Sequence, residues 1–317
     1  MDILKLKPVF KDYIWGGTRL RDDFGYECDI EPIAEGWMLS CHKDGKSTVI
    51  GGEYDGLSLE EIIEKSGKEK TIGTKSAEFP YFPVLIKLID AKDNLSIQVH
   101  PDNEYAERVE HEFGKTEIWY VLDATDDAKL IYGFKDKISS EEFKTAIENN
   151  TLMDVLNVVN VKKGDLFFIE AGTVHAIGKG ALIAEIQQNS NSTYRVYDYG
   201  RVGKDGKPRE LHIQKAVDVS KTEPAKYDIK PFGEPENVSG GVKQLLTECD
   251  LFTVYHYDIN SEMKFSTNEK SFNHVLVLDG AGEINGAAFK KGDSFFIPAN
   301  FGEYKISGNA EILVTNI

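Results

Sequence analysis

Short apolar runs with strand-like composition dominate the chain. FPVLIKLID (82–90), LSIQVH (95–100), EIWYVLD (117–123), AKLIYGF (128–134), DLFFIEA (165–171) and ALIAEIQQ (181–188) are rich in β-branched and aromatic residues. Gly, Asp, Asn and Lys separate them. This pattern predicts strands. Helical spacing is confined to a few insertions, at 57–66, 101–113 and 139–157, with a fourth helix expected at 210–219. Ser58 with Glu61, and Ser139 with Glu142, have the spacing of capping boxes. Pro101 and the acidic residues after it suit a helix start. Residues 221–240 contain three prolines and little apolar material, and read as a linker. Beyond it only strand-like runs recur.

One phrase occurs twice. KKGDLFFIEAG fills 162–172 and KKGDSFFIPAN fills 290–300, an offset of 128. Each is preceded by a run containing VLD, at 121–123 and 277–279. Gly164 and Gly292 supply the turn before each apolar strand. The order of strand pairs predicts a mainly β chain with two cupin-type jelly-roll barrels and a few helical insertions. The first domain is placed at 1–225 and the second at 226–317.

Composition narrows the partners. The chain has 317 residues, 41% hydrophobic and 28% charged, with a formal net charge of −16. Such a surface repels phosphate backbones and anionic lipid, which excludes nucleic acid and membranes as partners. A phosphorylated small substrate would need its own cluster of Lys and Arg. Cys28, Cys41 and Cys249 are widely spaced and odd in number, which suggests neither a zinc knuckle nor a disulfide framework and fits a reducing cytoplasm. The start, MDILKLKPVF, is too charged for a secretory signal. The apolar run Phe82–Ile89 is broken by Lys87 and falls short of a membrane span.

Candidate chemistry comes from spacing. Gln98 and His100 are two apart in an extended run, so both project from one face. Glu117 opens a later strand, and His175 lies just past the FFIEAG strand. Pro101 stops the strand directly after His100. Two imidazoles, a carboxylate and an amide oxygen make a four-ligand set for zinc. Two His and one carboxylate also form the facial triad of non-haem iron oxygenases, so spacing admits either metal. His42, His111, His212, His256 and His274 have no partner at useful spacing, and most of them read as structural. The repeat places Glu303 at the position of His175, so the second domain is expected to lack a metal.

At these residues the chain resembles the type I mannose-6-phosphate isomerase family, in its short bacterial form. The resemblance rests on DYIWGG (12–17), AEGWMLSCH (34–42), QVHP (98–101), GKTE (114–117), AGTVHA (171–176), STYRVYDYGR (192–201) and RELH (209–212). It implies one Zn2+ per chain on Gln98, His100, Glu117 and His175. It also implies conversion of mannose 6-phosphate to fructose 6-phosphate through an enediolate. Catalytic roles fall on Arg195, Lys115 and Glu185, and substrate contacts on Lys87, Trp15 and Asn191. Trp15 has a second reading, as a core residue. Glu185, His42 and a zinc-bound water are candidates for the base. Lys87 and Lys115 are candidates for the local positive patch. The family usually has an acid where this chain has Asn191. A metal-dependent cupin dioxygenase and a non-catalytic sugar-binding cupin are the competing readings. A monomer or homodimer fits equally, since edge strands of the second domain could pair with another chain.

Overall fold

The computed structural model describes residues 1–203 and 206–317. Three antiparallel sheets carry the architecture. The central one has six strands in the order Leu166–Ile169, Glu117–Ala124, Ala181–Gln188, Val84–Asp90, Glu35–Leu39 and Val9–Lys11. A five-stranded sheet runs Leu156–Asn160, Lys129–Phe134, His175–Ile177, Ile97–Val99 and Tyr194–Tyr197. A ten-stranded sheet gathers the C-terminal strands, and Leu4–Lys7 joins it by pairing with Ser294–Ile297. The N-terminal strand is thus paired with residues 290 positions away in the chain (Lys5 with Phe295). Among the described residues, no helix is long and apolar enough to cross a membrane.

The central sheet is covered on both faces, which explains why its strands read as apolar runs rather than clean alternations. Ile86, Leu88, Ile118, Tyr120, Ala184 and Ile186 share a core with Leu246, Val254, Leu276, Phe296 and Leu313 of the ten-stranded sheet. From the same strands, Ile89, Trp119, Val121 and Ile183 point the other way. They pack with Leu130, Tyr132 and Ile177 of the five-stranded sheet. Period two therefore assigns Lys87, Glu117 and Glu185 to that second face. They are charged residues placed between two sheets.

Both capping boxes form, at Ser58–Glu61 before the helix Leu59–Ser66 and at Ser139–Glu142 before Ser140–Glu148. The helix expected at 101–113 is shorter, Asn103–Val109, because Asp102 rather than Pro101 caps it. The insertion placed at 139–157 ends early. A short helix, Leu152–Val155, gives way to strand at Leu156. The helix expected at 210–219 spans Ile213–Val219. Residues 221–240 are not a free linker. Tyr227 and Phe232 pack their rings at a tilt against Phe168, and Glu236–Val238 pairs as a strand with Gly241–Glu248. Two aromatics supply enough apolar area to hold the segment down.

The repeated phrase is repeated structure. Gly164 N–H donates to Val121 O and Gly292 N–H to Val277 O, at 2.9 and 2.8 Å. Asp165 and Asp293 each accept from the backbone N–H three residues earlier. The two glycines take φ of 90° and 87°, a region that favours glycine. Register shows where the two copies differ. Ile169 faces Glu117, whereas Ile297 faces Asn273, whose amide donates to Tyr304 Oη at 2.9 Å. Glu303, at the His175 position, is exposed.

His274 is fully buried in the structure and hydrogen-bonded to a neighbouring hydroxyl. Its Nε2 lies 2.8 Å from Ser294 Oγ, and Ser294 donates onward to Met38 O at 2.9 Å. Nδ1 has no hydrogen-bond partner, and burial lowers the imidazole pKa to about 3. The folded-state pKa lies below the unfolded value of about 6.5. Below pH 6.5 the unfolded chain therefore takes up a proton that the folded chain refuses. Stability falls with acid down to about pH 3. His274→Gln is expected to lose about 1 kcal/mol less between pH 7 and 5.5 than the parent. Urea midpoints at the two pH values check this, and an unchanged slope would contradict it.

Candidate metal centre and its cavity

Two cross-strand rows build the site. On the five-stranded sheet, His175 pairs with Gln98 and Gln98 with Arg195, so three side chains lie side by side on one face. On the central sheet, Trp37 pairs with Lys87, Lys87 with Glu185 and Glu185 with Trp119. Glu117 follows one step along the strand from Trp119 on the same face. His100 lies just past the strand Ile97–Val99.

The imidazoles converge. His100 Nδ1–H donates to Ser192 O and His175 Nδ1–H to Thr173 O, both at 2.8 Å. Those bonds fix the tautomers, leaving two Nε2 lone pairs facing each other at 3.1 Å, with Lys115 Nζ–H donating to that of His100 at 3.2 Å. Glu117 Oε1 is 3.4 Å from His175 Nε2, and Glu117 Oε2 is 3.8 Å from His100 Nε2. Gln98 brings its amide to 3.4 Å from His175 Nε2, and a half-turn of that amide would present its oxygen. Among the described residues this is the one His/Cys/Asp/Glu group within 4.8 Å of mutual contact. All three members are buried, and Glu117 Oε1 accepts no hydrogen bond. Facing lone pairs and an orphaned carboxylate oxygen repel unless a cation lies between them. A tetrahedral ion with bonds of about 2.1 Å needs ligand separations of about 3.4 Å, close to those seen. The residues present therefore fit a zinc-sized ion.

Charge around the centre supports the same reading. Lys115 Nζ is 2.7 Å from Glu117 and 3.7 Å from Glu185. Lys87 Nζ is 3.0 Å from Glu185 and 3.6 Å from Glu35. Trp119 Nε1–H holds Glu185 at 2.9 Å and Trp37 Nε1–H holds Glu35 at 2.7 Å. Three buried carboxylates thus face two ammoniums, an excess of negative charge where none is cheap. Burial, then the neighbouring Glu185 charge, raises the Glu117 pKa. Burial acts the same way on Glu185, but Lys115 and Lys87 overcome it and hold Glu185 ionised. Burial and the Lys115 charge press His100 well below its ordinary range. Burial likewise lowers His175 to about 3, so both ligands are neutral.

A cavity of about 270 Å³ opens onto this centre. Trp15, Lys87, Gln98, Lys115, Glu185, Asn191 and Arg195 all line it. Trp15 is 4% exposed, packs within the core and also lines the cavity. His42 is not there. It lines a separate cleft of about 360 Å³ with Ile63 and Tyr81, and its Nε2 faces Glu112 at 3.7 Å. The charge of Lys87 and Lys115 is more than matched by Glu35, Glu117 and Glu185, so the surplus positive charge sits elsewhere. Arg201 and Arg209 share the single carboxylate of Asp198. Arg195 forms no ion pair among the described residues. Its Nη1–H donates to Glu210 O at 2.8 Å, and its buried Nε has no partner. Burial, then the Arg209 charge, lowers its pKa.

Sequence reasoning passed over Glu35, Tyr13, Thr193 and Arg209, which also line the cavity. Glu35 carried a signal, since it is two residues from Trp37 in a strand and so shares its face. Arg209 carried none beyond its place in RELH.

Fold and site together define a class: enzymes that act on a small molecule around one buried cation in an antiparallel β scaffold. Comparison with known proteins narrows this. The model of the phosphomannose isomerase type I catalytic domain matches residues 3–131, and that of the mannose-6-phosphate isomerase cupin domain matches 242–317. The mannose-6-phosphate isomerase ManA of Bacillus subtilis is 40% identical over 99% of this chain and 98% of its own length. The mannose-6-phosphate isomerase of Streptococcus mutans is 38% identical over 99% and 98%. The crystal structure of the mannose 6-phosphate isomerase from Bacillus subtilis superposes with a TM-score of 0.91 at 38% identity, covering 100% of both chains. A zinc-bound mannose 6-phosphate isomerase shares the fold at 19% identity, with a TM-score of 0.79 over 99% of each chain. The chain belongs to the type I phosphomannose isomerase family, and it is an isomerase.

Proposed function

We propose that this protein interconverts mannose 6-phosphate and fructose 6-phosphate with one zinc ion held by Gln98, His100, Glu117 and His175. The observation that carries the reading is the buried convergence of two imidazole Nε2 lone pairs, 3.1 Å apart, with an unpartnered carboxylate oxygen. The names of the full-length relatives support the substrate. When bound, zinc would polarise the sugar carbonyl and offset negative charge developing on it.

The chain's own residues do the rest. Isomerisation moves a proton between C1 and C2 through an enediolate. Lys115 and Lys87 stand at the metal centre as hydrogen-bond donors for the sugar oxygens, kept in place by Glu117, Glu185 and Glu35. Glu185 acts as their anchor, since a carboxylate held ionised by two ammoniums is a weak base. Arg195 lies beside Gln98 with hydrogen-bonding capacity to spare, suited to the enediolate charge. Arg209, with Arg201 behind it, makes the outer rim cationic and suits the phosphate despite the net charge of −16. Trp15 offers an aromatic wall to the sugar ring.

The test is one assay run twice. Mannose 6-phosphate is supplied and fructose 6-phosphate followed, before and after a chelator, and then with zinc added back. Turnover that vanishes with the chelator and returns with zinc is expected. Turnover that survives complete metal removal would overturn the zinc assignment, and no turnover in zinc-loaded protein would overturn the substrate.

A further inference from the structure

The loop between the strands Ala181–Gln188 and Tyr194–Tyr197 has no regular structure, yet it holds a metal ligand. Its Ser192 carbonyl is the acceptor for His100 Nδ1–H at 2.8 Å. An irregular loop sets such a carbonyl accurately only if something outside the loop fixes it. Asn189 and Asn191 are held by Phe82, Pro83 and Asp44, and the external tie on Ser192 itself is Glu112. Its Oε2 accepts from Ser192 Oγ–H at 3.2 Å and from Asn191 N–H at 3.4 Å. Its other oxygen, Oε1, meets Lys43 Nζ at 2.5 Å and faces His42 Nε2 at 3.7 Å. Glu112 itself is delivered by His111, a non-glycine residue at φ 56°, where side chains are costly. The neighbouring Glu110 ties the same segment a second time, accepting from Tyr194 Oη–H at 2.8 Å. That second tie makes no contact with Ser192.

We propose that Glu112 is a positioning residue for the metal ligand His100, acting through Ser192. The carboxylate clamps the hydroxyl and flanking amide of the loop, the loop carbonyl holds Nδ1–H, and Nε2 is thereby aimed at the metal position. Outer partners of metal-bound imidazoles set ring orientation and ligand basicity, and losing one commonly costs 10–100-fold in metal affinity. Glu112 is suited to this because it stays ionised. The His42 imidazole beside it is the largest influence and, with Lys43 and the Asn191 amide, outweighs burial to hold its pKa at about 2. The clamp works across the whole neutral range.

The inference rests on the reading that His100 binds zinc, so metal binding by the parent chain is measured first, by competition with a chelator. A parent that binds no zinc overturns both. Given binding, Glu112→Ala and Ser192→Ala are each expected to weaken zinc affinity several-fold, up to about 10-fold, the lower end for loss of a direct outer partner, since the Ser192 carbonyl itself remains. They should also change the visible spectrum of the cobalt-substituted protein. The double variant should be no weaker than Glu112→Ala alone, since both changes break one chain of contacts. Glu112→Gln keeps an acceptor and should restore near-parental affinity. Tyr194→Phe cuts the other tie and should leave affinity unchanged. If Glu112→Ala does not fold, Ser192→Ala decides, as it removes one hydroxyl. Parental zinc affinity and an unaltered cobalt spectrum in Ser192→Ala and in any folded Glu112→Ala would overturn the proposal. So would fully additive losses in the double variant.

Discussion

His175→Ala is expected to lose bound zinc and turnover together while remaining folded. His175 is the hub of the centre, with Nε2 at 3.1 Å from His100, 3.4 Å from Glu117 and 3.4 Å from Gln98. Removing it leaves three ligands and opens a gap beneath Trp119, whose ring lies 5.2 Å away. A zinc site worth about 12 kcal/mol that loses one of four ligands gives up about 3 kcal/mol, or roughly 10²-fold in affinity. Turnover should fall further, because the Lewis acid supplies several kcal/mol of barrier lowering, equivalent to about 10⁴-fold for 5 kcal/mol. The matched control is His274→Gln, which removes an equally buried imidazole remote from the cavity and should keep its zinc. Metal content and kcat measured on the same samples check this. A metal-free His175→Ala protein that still turns over would end the assignment.

The contrast between these two histidines shows what the sequence made legible. Gln98 and His100 were readable because a strand alternates its faces and Pro101 marks where it stops. His175 was readable because the repeated phrase set it against Glu303. The pairing of Ile297 with Asn273 gives the same subtraction at the Glu117 position, but it appears only once strand register is known. Lys87 and Glu185 look like interruptions of apolar runs, and their burial required knowing that both faces of the central sheet are covered. The charge balance was not legible. Glu35 meets Lys87, and Arg209 meets Asp198, through pairings that no local pattern encodes. The joining of Leu4–Lys7 to the C-terminal sheet was hidden for the same reason, since neighbours in a sheet need not be neighbours in sequence.

Asn191 shows how a local change can be absorbed. Its side-chain amide donates to Asp44 Oδ2 at 2.9 Å, and its backbone N–H points to Glu112. A carboxylate in its place would face Asp44 and Glu112 with like charge. Amide and acid neighbours are consistent with each other here, and residue 191 still borders the cavity.

Arg195→Ala is expected to keep one zinc per chain and to lose about 10²–10³-fold in kcat. The guanidinium is one strand from Gln98 and two from His175, on the same face. It is half-buried, and its one hydrogen bond in the described structure runs from Nη1 to the Glu210 carbonyl, leaving Nε without a partner. Asp198, whose charge acts on Arg195, is occupied by Arg201 and Arg209. A buried donor without an acceptor is costly unless an acceptor arrives, and a group that is best satisfied when charge develops on the substrate favours the transition state. Loss of such a contact lowers kcat and kcat/KM in parallel. A residue that merely held the phosphate would instead raise KM and leave kcat alone. Arg195→Lys separates the two further, because an ammonium keeps the charge but not the planar fork, and only modest recovery of kcat is expected. Metal content, kcat and KM on the two variants check this. Normal turnover in Arg195→Ala would remove the residue from the chemistry, and a pure KM effect would reassign it to the phosphate beside Arg209.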